Sequence, residues 1–81
     1  MAAEQDLRRA LGGSIFFRDI RGVEPTKKGW IVGESMRIYV DDQGGYTLCF
    51  LRGTEEKTKK TYREKLDQAR IAYKAGPDFS S

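Results

Sequence analysis

Histidine is absent from this sequence, and cysteine occurs once, at Cys49. The first absence removes the side chain that most often serves as a general base near neutral pH. The two together exclude a structural zinc site, which typically takes four Cys or His ligands. A lone cysteine also excludes a disulfide within the chain. Long apolar runs are missing as well, and none approaches the roughly 20 residues of a membrane span. Residues 1–13 are too polar for a signal-peptide core. A cytoplasmic protein without membrane partner or small-molecule cofactor is the expectation.

The chain has 81 residues, enough for one domain. That domain is expected over residues 1–76, with 77–81 as a short C-terminal tail. A chain of this size buries only roughly 60% of its unfolded surface. With disulfide and zinc removed as supports, a partner subunit remains as a source of extra stability.

Residues 2–11 carry an apolar face of Ala3, Leu7, Ala10 and Leu11 at helical spacing, and Gly12-Gly13 ends the helix. Residues 14–21 are rich in β-branched and aromatic side chains and predict a strand, followed by a loop from Gly22 to Gly29. In residues 30–40, Trp30, Val32, Met36, Ile38 and Val40 share one parity, while Gly33-Glu34 interrupts the run. The interruption leaves one bent strand or two short ones. Asp41-Asp42-Gln43-Gly44-Gly45 is a turn by composition, and Tyr46–Arg52 completes a hairpin. Residues 54–75 predict a long helix, capped by Thr54 and striped by Thr58, Tyr62, Leu66, Ala69 and Tyr73. A second start at Thr61, with Glu64 at capping-box spacing, leaves residues 54–60 as a possible fourth strand.

The expected fold is α+β: a three-stranded antiparallel sheet packed against a long C-terminal helix, with a short N-terminal helix. Trp30, Val32, Met36, Ile38 and Val40 should meet Tyr62, Leu66 and Tyr73 in the core.

Few residues carry catalytic chemistry. Cys49 lacks a histidine to activate it, and its place between Leu48 and Phe50 favours a buried, inert thiol. Asp41-Asp42 has the oxygens for a divalent cation but not the acidic spacing of an EF-hand, so turn formation is the simpler role. Gly12-Gly13 precedes a strand, whereas phosphate loops follow one, and Gly53-Thr54 lacks the Gly-Lys-Ser/Thr signature. No catalytic, metal or cofactor site is therefore assigned.

Charge gives the clearest functional signal. The net charge is +3, and it lies entirely in residues 54–75, which hold seven basic and four acidic side chains. A nucleic-acid interface built on Lys57, Lys59, Lys60 and Arg63, with Arg37, Arg52, Tyr39 and Tyr46 from the hairpin, is one expectation. Glu55, Glu56, Glu64 and Asp67 interrupt that basic face, as on an ordinary solvated surface. Over residues 36–75 the order of strand, Gly-rich hairpin, strand, basic Thr/Lys stretch and helix resembles the arm-binding domains of tyrosine recombinases, which lay a three-stranded sheet in a DNA groove. The resemblance is one of order and composition, and it assigns no role to an individual residue.

The leading expectation is a non-catalytic binding or regulatory protein that contacts another protein or a second copy of itself. A helix of 22 residues would span about 33 Å against about 23 Å for a seven-residue strand, so its end should overhang the sheet. Ile71 and Tyr73 on that end, with Lys60, Asp67 and Lys74 on the Ile71 side of the helix, are the candidate contacts. Ile71 admits two settings: covered by Leu7 and Leu11 within the chain, or buried by a partner.

Overall fold

The computed structural model describes residues 2–13, 15–20 and 28–80. The elements are α1 (Ala2–Leu11), β1 (Ile15–Asp19), β2 (Lys28–Val32), β3 (Met36–Val40), β4 (Tyr46–Phe50), α2 (Glu56–Gln68) and β5 (Lys74–Ala75). The five strands form one sheet in the order β1-β2-β3-β4-β5. The first four are an antiparallel meander, and β5 runs parallel to β4.

The α+β class stands, but the sheet has five mixed strands where three antiparallel ones were expected. Residues 30–40 divide into two strands at a tight Gly33–Ser35 turn, with Gly33 at φ 60°. A parallel neighbour needs a crossover, and α2 supplies it between β4 and β5. Gly29, expected in a loop, is buried inside β2. A Cβ there would run into the Ile38 carbonyl, so the close approach of β2 and β3 requires glycine.

The C-terminal helix is also shorter than expected. It covers 13 residues, about 20 Å against about 17 Å for a five-residue strand, so the expected overhang of about 10 Å shrinks to about 3 Å. Its start is Glu55, which makes no side-chain cap. Thr54, the expected cap, instead donates its hydroxyl to the Leu51 carbonyl at 2.6 Å. Thr61 donates to the Lys57 carbonyl at 3.0 Å from inside the helix, so residues 56–60 are helical and not a fourth strand. At the other end Arg70 turns left-handed at φ 59°. The Arg70 amide then bonds to the Asp67 carbonyl and the Ile71 amide to the Leu66 carbonyl, both at 3.0 Å. This paired bonding is a Schellman stop, usually made with glycine.

Both helices pack on one face of the sheet. Leu7, Leu11, Ile15, Trp30, Val32, Met36, Ile38, Leu48, Phe50 and Leu66 form the main core, with Val40, Tyr62, Ile71 and Tyr73 packed against it. The parity expected for Trp30 through Val40 is the parity observed. Among the described residues no helix is long and apolar enough to cross a membrane.

Candidate functional site

The opposite sheet face is built differently. Strand register places Phe16, Ile31, Arg37 and Cys49 side by side across it. A second cluster forms there from Ile20, Tyr39, Cys49 and Phe79, with Ile31 and Leu51 packed against it. Among the described residues neither helix contributes to that cluster.

Coverage of this face is uneven. Over β4 the chain covers itself. Phe79 bridges to Leu51, and the Arg37 guanidinium lies 4.1 Å from the centre of the Phe79 ring. Cation and ring at that distance attract through the ring quadrupole. Towards β1 the cover ends, and Phe16 is 68% exposed. Beside Phe79 lies a shallow groove of about 420 Å³, walled by Ile31, Leu51, Phe79 and Met36 with Glu34 and Arg37 among its lining residues. Among the described residues β1 pairs with β2 alone and is an edge strand of the sheet.

The hairpin residues expected to read nucleic acid do not share a surface. Val40 stands opposite Tyr46, so Tyr39 and Tyr46 point to different sheet faces. Tyr39 is 2% exposed, and its hydroxyl finds no hydrogen-bond partner among the described residues. Tyr46 is half-buried on the helix side, where its ring centre is 5.9 Å from that of Trp30. Burial and then the Asp6 carboxylate raise its phenol above the ordinary value. Arg37 stacks on Phe79, and Arg52 is exposed in the turn after β4.

The basic residues of α2 divide as well. Lys59 sits 3.6 Å and Arg63 3.9 Å from the Glu56 carboxylate. Both also lie over Phe50, at 5.9 and 5.6 Å from the ring centre. The two charged heads thus sit between the Phe50 ring face and the Glu56 carboxylate, and both partners attract a cation. Lys57 and Lys60 are exposed beside Glu64 on the outer side of the helix.

The expected protein contacts are likewise dispersed. Ile71 and Tyr73 follow α2 and pack against the main core, which includes Leu7, Leu11 and Leu66. Lys60 and Asp67 are exposed on α2, and Lys74 is exposed on β5. The Tyr73 phenol is raised first by burial and then by the Asp67 carboxylate. Asp41 acts as a turn former: one carboxylate oxygen accepts from the Gln43 amide at 2.9 Å and the Gly45 amide at 2.7 Å. Phe16 was missed in the sequence because Ile15, Phe16 and Phe17 are all apolar, so alternation does not say which faces out.

No family model, curated protein or solved structure matches the chain.

Proposed function

We propose that this is a small non-catalytic protein-contact module that associates with a second copy of itself through the open β1 edge and the sheet face around Phe16. The observation that carries the proposal is the 68% exposure of Phe16, the large apolar side chain at the surface of this face. Isologous pairing suits an open strand, because one edge supplies both halves of the contact. In an antiparallel pairing of two β1 strands centred on Phe17, Phe16 stands opposite Arg18 and Ile15 opposite Asp19. No like charges then face each other across the junction. The small core gives a second reason, since association adds stability that a chain of this size lacks.

Nucleic-acid binding has weaker support. Lys59 and Arg63 share the one Glu56 carboxylate, Tyr39 is buried, and of the eight residues expected at that interface only Arg52, Lys57 and Lys60 are exposed. Sedimentation velocity over a concentration series tests the self-association reading, with Phe16→Glu as the edge variant. Dimers that dissociate in the variant support it.

A further inference from the structure

The opposite edge of the sheet is already occupied, and its occupant describes what the edge accepts. Residues 74–79 run along β4 as an extended segment. Lys74 and Ala75 pair with Thr47 and Leu48. The Gly76 amide donates to the Leu48 carbonyl at 2.7 Å, and the Phe79 amide to the Phe50 carbonyl at 3.0 Å. The Arg52 amide donates back to the Phe79 carbonyl at 2.7 Å. Within this segment Phe79 alone is buried, while Lys74, Ala75, Pro77 and Asp78 are exposed. The attachment is thus main-chain pairing plus one aromatic anchor, the pattern by which an added strand binds a sheet edge.

We propose that the outer edge of β4 is a strand-docking site, held closed by the chain's own residues 74–79 as a displaceable strap. Its ligand is an extended peptide with glycine followed three residues later by an aromatic side chain. The glycine requirement comes from packing. A Cβ at position 76 would stand 2.5 Å from the Cys49 sulfur and 2.7 Å from the Thr47 methyl carbon. The aromatic requirement comes from the seat under Arg37, where the guanidinium caps the ring at 4.1 Å. A short segment held by a few main-chain bonds and one buried side chain has few apolar contacts to break, so it can open locally without global unfolding. The site lies at the other edge from β1 and does not depend on self-association there.

Cys49 reports on the strap, because Gly76 covers its buried sulfur. The experiment measures Cys49 labelling by a thiol reagent in the full chain and in Phe79→Ala, across a urea series. The expected result is labelling at least about tenfold faster in Phe79→Ala, with a urea dependence in both chains well below that of global unfolding. A synthetic peptide of residues 73–81 should then restore protection to Phe79→Ala, whereas the same peptide with Gly76→Ala or Phe79→Ala should not. Should the protein variant fail to fold, the urea dependence of wild-type labelling still decides. Labelling of the wild-type chain only through global unfolding overturns the proposal. So does a folded Phe79→Ala that all three peptides protect equally, or that none protects.

Discussion

The Ile71 amide donates to the Leu66 carbonyl at 3.0 Å, and this bond closes α2. It turns the chain back so that Ile71 packs against the core that includes Leu66, the hydrophobic contact that commonly accompanies such a stop. Ile71 is thereby explained within the chain. The left-handed residue that makes the turn is Arg70, at φ 59°. A side chain carries a steric cost there that glycine does not. Arg70→Gly should stabilise the protein by about 0.5–1 kcal/mol, or a rise of a few degrees in Tm. A lower Tm would show that the Arg70 side chain outweighs its backbone strain.

Leu66 joins α2 to the sheet. It is 0% exposed in the cluster that contains Leu7 from α1 and Val32, Met36 and Ile38 from the strands. Leu66→Ala should cost about 2–5 kcal/mol in urea unfolding, through lost transfer energy and the cavity left behind. A loss below about 0.5 kcal/mol is incompatible with this packing.

Tyr39 offers a prediction in the opposite direction. Its hydroxyl is buried without a partner among the described residues. Removing an unsatisfied polar atom relieves a desolvation cost, so Tyr39→Phe should leave stability unchanged or raise it by up to about 1–2 kcal/mol. A clear loss in equilibrium unfolding would mean that the hydroxyl has a partner.

The tyrosines also set an alkaline limit. Burial and then Asp6 hold the Tyr46 phenol above its ordinary value of 10.0, and burial and then Asp67 do the same for Tyr73. Their pKa values are raised on folding, so the unfolded chain ionises first. Their contribution to stability is whole below the unfolded value near 10 and is lost as pH rises through the folded values. The urea midpoint should fall in that alkaline range, and less steeply in Tyr46→Phe. A midpoint equally pH-dependent in the variant would assign the effect elsewhere.

Local pattern and distant packing account for what the sequence did and did not disclose. Parity in Trp30 through Val40 identified the core face, because one side of that hairpin is buried. The turn at Asp41 was legible because its carboxylate bonds locally. The end of α2 was hidden, since Arg70 takes a conformation usually signalled by glycine. β5 has two residues and no local signal, and its pairing with β4 depends on contacts 27 residues away in sequence, from Thr47 to Lys74. Gly29 looked like loop punctuation, yet it is strand because Ile38 leaves no room for a Cβ. For the candidate site, Arg37 was visible as a charge, but its seat on Phe79 was not. The exposure of Phe16 depended on which half of the sheet the C-terminal segment covers.

Self-association through β1 is the central claim, and the mass of the protein in solution tests it most directly. The account predicts that sedimentation velocity on the wild-type chain shows a monomer–dimer equilibrium shifting to dimer as concentration rises. It also predicts that Phe16→Glu, folded by circular dichroism, remains monomeric over the same range. A wild-type chain that stays monomeric up to about 1 mM, a Kd corresponding to only about 4 kcal/mol, would contradict it. So would a folded Phe16→Glu that dimerises as tightly as the wild type.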